Sequence, residues 1–178
     1  MEYVEDIVQP LVSLSEAQEF LRLQSGDDEA LLAGLIRTAS ALCEQFVGQV
    51  ILARAFREQH RASGAWQPLR SLPVRSITSV RALDASGEAV VLAETDIAVD
   101  IDADGRGWVR GTTLLGRAQL EVRGTAGLAA SVNQVPEPLR QGVLRLVAHL
   151  FGNRDGPSGE PPAAVTALWR PYRRLVLR

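Results

Sequence analysis

The sequence predicts an α+β chain, a helical bundle interrupted by an antiparallel β insertion. Two blocks with a 3.6-residue apolar period, one ahead of Val50 and one after Val135, enclose a long stretch of short alternating runs separated by turn signals. The changes of period divide the chain into an N-terminal helical part (1–49), a β-rich insertion (50–133) and a C-terminal helical part with a tail (134–178) that packs with 1–49.

In order, Ser13 and Glu16 have capping-box spacing after a short leader, and SEAQEFLRL follows as a brief helix with Ala17, Phe20, Leu21 and Leu14 inward. Gln24 to Gly26 breaks it. Asp27 or Asp28 then caps a longer helix whose apolar face holds Leu31, Leu32, Leu35, Ile36, Ala39, Leu42, Cys43, Phe46 and Val47. Arg37, Ser40 and Glu44 are assigned to the opposite face, and Gly48 ends the helix.

From Val50 the strands expected are Ile51–His60, Trp66–Leu69, Ser76–Leu83, Ala89–Leu92, Asp96–Asp100, Trp108–Val109 and Arg117–Arg123. DASG (Asp84–Gly87) and DADG (Asp102–Gly105) read as hairpin turns. Trp66 and Trp108 are read as core anchors of this module, and Trp169 as equally suited to core or interface.

The firmest element is VPEPLRQGVLRLVAHLFGN. Pro136 and Pro138 suit a helix entrance, Gly152 and Asn153 an exit. Leu139, Val143, Leu146, Val147, Leu150 and Phe151 line one side, and Leu144 and Ala148 widen it, so burial on more than one flank is expected. Gly142 costs about 1 kcal/mol relative to Ala in a helix, which implies a close neighbour from the same chain or a second copy. A breaker-rich loop, DGPSGEPP, leads to a short helix at Ala163–Trp169, stopped by Pro171. RRLVLR (Arg173–Arg178) has nothing local to pair with; it is read as a frayed end or an arm that adds to a partner's sheet edge.

The totals narrow the classes of function. With 178 residues, 46% hydrophobic and 22% charged, the composition is that of an ordinary globular protein. No run of eighteen apolar residues and no charged-then-apolar leader is evident, so neither a membrane span nor a secretory signal is expected, and assembly in a cytoplasm follows. A net charge of −2 gives no footprint for tight nucleic-acid binding. All 19 basic residues are arginine, which favours planar, bidentate pairing at interfaces. Between Met1 and Glu29 eight acids meet Arg22 alone, whereas from Pro161 onward Arg170, Arg173, Arg174 and Arg178 meet no acid. These poles either attract neighbouring copies or partners, or are two solvated ends.

A search for chemistry finds no catalytic, cofactor-binding or metal site. DIDADG (Asp100–Gly105) begins like a calcium loop, but its twelfth position is Gly111 where a bidentate Glu is needed, so a hairpin turn is the reading. His60 and His149 have no third ligand for zinc. Ser13, Ser15 and Ser40 lie in no nucleophile elbow, and Gly105, Gly107 and Gly111 lack the strand-to-helix context of a phosphate loop. Cys43 falls on an apolar helix face and reads as an inert, buried thiol.

Several stretches then resemble one family. SLSEAQEFLRL, DDEALLAGLIRTASALCEQFVGQVI, LPVRSITSV after Trp66, and VPEPLRQGVLRLVAHLFGNRDG occur in the same order as in the head-to-tail connector, or adaptor, proteins of long-tailed bacteriophages and phage-like gene transfer agents. The resemblance spans most of Leu11 to Gly156, and WRPYRR is similar to the family's final turn. It implies a non-enzymatic particle component without cofactors, located at the particle neck. Family members form a dodecameric ring under the portal protein, extend the channel through which DNA passes without specific binding, and carry the stopper or another tail-side protein. The helical part would form the ring and the C-terminal end would reach the portal; the long β insertion departs from simpler helical members.

For portal contact the candidates are Trp169, Arg170, Tyr172, Arg173, Arg174, Leu175, Val176 and Leu177. Arg37, Glu44, Arg140 and Arg145, on exposed or bordering helix faces, are the candidates for contact between copies. The alternative reading is a non-enzymatic interaction module that binds another partner through its β insertion.

Overall fold

A computed structural model describes residues 2–3, 10–24, 26, 28–84, 87–90, 96–111, 119–153 and 160–174. The chain is mixed α+β and forms two compact units: a helical unit, Ile7–Leu52 with Ala129–Arg178, and a β unit, Met1–Asp6 with Ala53–Leu128.

In the helical unit α1 (Leu14–Leu21) starts on the expected capping box, with the Ser13 side chain accepting from Glu16 N and the Glu16 side chain accepting from Ser13 N. Arg22, in the left-handed region at φ 57°, ends it. Ala17 is buried, but Phe20, expected inward, is 44% exposed, because the helix stops one residue later and leaves it at the corner.

Helix α2 (Glu29–Val47) buries Leu32, Ile36, Ala39, Cys43 and Val47, an i, i+4, i+7, i+11, i+15 stripe. Asp28 stands at its N-cap without a side-chain cap bond, and Gly48 closes it at φ 67° as expected. Leu31, placed on the apolar face, is 38% exposed in the first turn. By length and composition α2 is long and apolar enough to cross a bilayer, yet its stripe is occupied by α3 and α4.

Helix α3 (Glu137–Gly152) enters after Pro136 and buries Leu139, Gly142, Val143, Leu144, Leu146 and Val147. That arc meets α1, α2 and α4 (Ala163–Trp169), which explains its breadth. Each large side chain removed from water here contributes about 1.5–3 kcal/mol.

Ser40 and Glu44 correct the polar-face assignment on α2: both are buried. The Ser40 hydroxyl accepts from Leu11 N at 3.1 Å and the Glu44 carboxylate from Ile51 N at 2.8 Å. These side chains satisfy main-chain donors where the chain enters and leaves the bundle, donors that would otherwise be buried without partners.

In the β unit the residues read as a leader contribute β1 (Glu2–Tyr3), which pairs with β2 (Arg54–Arg61). β4 (Val74–Leu83), β5 (Ala89–Val90) and β8 (Gln119–Ala126) complete an antiparallel sheet of order β1-β2-β8-β4-β5. A second sheet is ordered β3-β7-β6, from β3 (Gln67–Pro68), β6 (Ile97–Ile101) and β7 (Gly107–Gly111). The strands lie near their expected positions, shifted by a few residues at their ends.

Both predicted hairpin turns form. Gly87 (φ 86°) donates to Asp84 O, and Gly105 (φ 73°) to Asp102 O. Phe56, Leu120, Val122, Ala126, Val74 and Ala82 are buried in the large sheet. Gly124 is obligatory: a Cβ there would lie 2.8 Å from the Phe56 ring.

Candidate interaction surfaces

The C-terminal candidates divide sharply. Trp169 is fully buried; its Nε1–H donates to Leu139 O at 3.2 Å and its ring lies 5.8 Å from that of Phe46. The indole occupies the notch left by Gly142, where a Cβ would fall 2.7 Å from Cδ1. The close neighbour implied by Gly142 therefore belongs to the same chain, and Trp169, placed above among the portal contacts, has no surface to offer.

Beyond it, Arg170–Tyr172 make a 3-10 turn, and Arg173–Arg174 are tied to the end of α2. Arg174 N donates to Val47 O at 2.9 Å, Gln49 Nε2 donates to Tyr172 O, and the Arg173 guanidinium lies 5.5 Å from the Phe46 ring centroid. With nothing local to pair with, Arg173 and Arg174 are instead held by these residues distant in sequence. Arg170 and Arg173 are exposed, Tyr172 and Arg174 half-buried; Leu175, Val176 and Leu177 lie outside the described residues.

Of the candidates for contact between copies, Arg37 and Arg145 are exposed. Arg140 is only 19% exposed and bridges Glu16 and Glu137. The Ser13 main-chain N–H, then against the cost of burial the Ser13 hydroxyl and the Arg140 charge, hold the Glu16 carboxyl below its ordinary value. Glu44 is committed to Ile51, so its placement on an exposed face is corrected.

The β unit carries features that local reading missed. On β2, Ala55, Arg57, Gln59 and Arg61 face outward, opposite Thr125, Arg123, Glu121 and Gln119 of β8. β4 brings Ser79 opposite Arg123 and Arg81 opposite Glu121. Arg57, Arg61, Arg81 and Arg123 thus share one open sheet face around a single acid of strands β2, β4 and β8. Glu121, 2% exposed, accepts from Arg57 Nε at 2.6 Å and Arg123 Nε at 2.7 Å. Burial alone would raise its carboxyl; the two guanidiniums outweigh that and lower it.

On the inner side Glu58 is 1% exposed and accepts from Ser71 N (2.7 Å), Arg70 N (2.9 Å) and the His60 imidazole (3.1 Å). Burial works against its charge, but these donors together hold its carboxyl at about 2. The cluster fastens the loop before β4 to β2. Trp66, expected in the core, is 42% exposed, with Arg110 stacked 4.6 Å from its ring centroid.

The remaining chemistry-bearing groups are spent internally. Asp102 Oδ1 accepts from Asp104 N and Arg106 N and Oδ2 from Trp108 Nε1, which makes the acidic loop a closed turn. Burial pushes the Cys43 thiol far up, as expected for an inert sulfur. Among the described residues no group of three His, Cys, Asp or Glu is placed to hold a metal ion.

No family model and no curated protein matches the chain. Solved structures do. A chain in the neck of an empty gene transfer agent (GTA) particle, computed with C6 symmetry, is 26% identical with a TM-score of 0.77, over 99% of this chain and 96% of that one. A chain in the virion of a native GTA particle is 25% identical with a TM-score of 0.75, over the same shares. The neck of a native GTA particle computed with C12 symmetry holds a chain sharing the fold at 24% identity, TM-score 0.75. Along nearly its whole length the chain is therefore similar to components of GTA particles, in keeping with the phage-like connector, or adaptor-type, protein that its sequence resembles.

Proposed function

We propose that the chain is a structural, non-enzymatic component of the neck of a gene-transfer-agent-like particle, and that it serves there as the head-to-tail adaptor. In this role copies form a ring beneath the portal protein, the ring continues the DNA channel, and its far side carries the stopper or another tail-side protein. The observation that carries the reading is agreement of fold over 99% of the chain with a chain of a particle neck at 26% identity. The C6 and C12 symmetries of the neighbouring neck structures support a ring.

The portal contact is assigned to Arg170, Tyr172, Arg173 and Arg174 together with Leu175, Val176 and Leu177. Trp169 acts behind them, anchoring α4 against α3 so that the strap at the end of α2 is held in place. Arg37 and Arg145 remain the exposed candidates for contact between neighbouring copies.

The test is electron microscopy of particles labelled on this chain, paired with co-sedimentation of a variant truncated after Arg174. Label at the neck between capsid and tail, and weakened attachment of the truncated chain to purified portal, are the expected results. Absence of the chain from the neck refutes the function; unchanged attachment refutes the assignment of Leu175, Val176 and Leu177.

A further inference from the structure

The open face of the large sheet is unusual for a chain of net charge −2. Arg57, Arg61, Arg81 and Arg123 converge there from three strands; of the acids, Glu121 of β8 faces them and Glu2 of β1 stands opposite Arg57 in the register. Arg57 and Arg123 are held by that carboxylate, with side chains 35% and 43% exposed. Arg61 and Arg81 are exposed and make no ion pair among the described residues. The uncovered surplus of guanidinium groups fits a partner that presents carboxylates on a protruding surface.

The helical unit has such a surface. Gln18 Nε2 reaches Glu29 Oε1 at 3.5 Å, which sets the last turn of α1 against the first turn of α2. That corner exposes Glu19 and Glu29 beside Phe20 (44%) and Leu31 (38%), two of the large apolar side chains left in solvent. Carboxylates flanked by apolar side chains form stronger pairs once docked, because the contact excludes water. Glu29 accepts from Gly26 N (3.1 Å) and Gln18 through Oε1 alone, which leaves Oε2 for a partner, whereas Asp102 at its hairpin spends both oxygens on its own turn.

Resting on the ring reading above, we propose that the arginine face of one copy docks on the α1–α2 corner of a second copy. Used in the same sense by every copy, such a contact is head-to-tail, the type that closes into rings.

Charge exchange tests it in particle assembly. Arg61→Glu with Arg81→Glu, or Glu19→Arg with Glu29→Arg, lowers the chain recovered with purified particles at least tenfold. The chain carrying all four substitutions restores recovery, since its reversed surfaces match again. Unimpaired incorporation of either double variant overturns the proposal, as does failure of the fourfold variant while its thermal melt matches wild type.

A second measurement does not depend on particles. Variants with one added cysteine, Glu19→Cys and Arg81→Cys, mixed at high concentration with a bismaleimide, give covalent dimers only in the mixture; buried Cys43 does not compete. Cross-links to Asp100→Cys instead overturn the pairing. So does loss of retention on random-sequence DNA in Arg61→Glu/Arg81→Glu with assembly intact, which assigns the face to nucleic acid. If wild type is absent from the particle neck yet the cysteine pair cross-links, the function fails and this contact stands.

Discussion

Replacing Gly142 with alanine should destabilise the helical unit, against the ordinary rule for helices. In an open helix the change gains about 1 kcal/mol. Here the added Cβ would lie 2.7 Å from Trp169 Cδ1 and 2.8 Å from Cε2, and closer still to Nε1. The indole is fully buried, so it cannot swing out into solvent without opening the core. Forcing a methyl into a filled core costs about 1–3 kcal/mol. Displacing the ring also breaks the Nε1–H donation to Leu139 O, and an orphaned buried donor costs about 1–3 kcal/mol. After the propensity gain is subtracted, the net loss is roughly 3 kcal/mol, a fall of about 6–12 °C at ~2–4 °C per kcal/mol for a chain of this size. Urea unfolding followed by circular dichroism at the helical band measures it. Trp169→Phe removes the atoms nearest the new methyl, so the double variant should be less damaged than the sum of the singles by about 1 kcal/mol or more. A Gly142→Ala protein as stable as wild type, or a strictly additive pair, would refute the notch as the reason for the glycine.

The buried carboxylates supply further predictions. Because the Glu58 carboxyl is lowered from 4.5 to about 2, its contribution is complete above the unfolded value and is lost as pH falls from 4.5 toward 2. That interval carries on the order of 3 kcal/mol, so the stability gap between wild type and Glu58→Gln should be largest at neutral pH and close in acid; a constant gap would be inconsistent with the clip. Glu44→Ala should cost about 2 kcal/mol by stranding Ile51 N, measured by the same urea titration, whereas no loss would mean that the donor finds another acceptor. Millimolar calcium should shift the melting temperature by less than about 1 °C, since Asp102 is already occupied by its own turn, and a larger rise would establish a cation site.

Features encoded over a few residues were legible in the sequence. The Ser13–Glu16 box, the entrance and exit of α3, and the turns at Asp84–Gly87 and Asp102–Gly105 each depend on neighbours within one turn of chain. What escaped depends on residues joined only by folding. Ser40 and Glu44 look like a solvated helix face until Leu11 N and Ile51 N are brought onto them. Gly142 and Trp169 each drew notice, but nothing local says that one is the socket of the other. The arginine face is assembled by the β2-β8-β4 register, and each arginine alone reads as an ordinary surface charge. A usable signal was present in charge order: Arg54 to Arg81 holds six arginines and only Glu58, and Asp84 to Asp104 then holds seven acids and no arginine.

Such segregation bears on how copies meet. At physiological ionic strength charges act over about 8 Å, so a near-neutral total conceals surfaces that a partner feels only at contact. Two arginine faces brought together repel, and so do two acidic corners; a two-fold dimer built on either is penalised before any packing is considered. Pairing of unlike surfaces alone gains, and it leaves one arginine face and one corner free on the growing assembly, available to the next copy until closure. The proposed contact therefore predicts more than affinity. Raising salt should weaken assembly without revealing a stable two-fold dimer, because screening removes the attraction between unlike surfaces and supplies none between like ones.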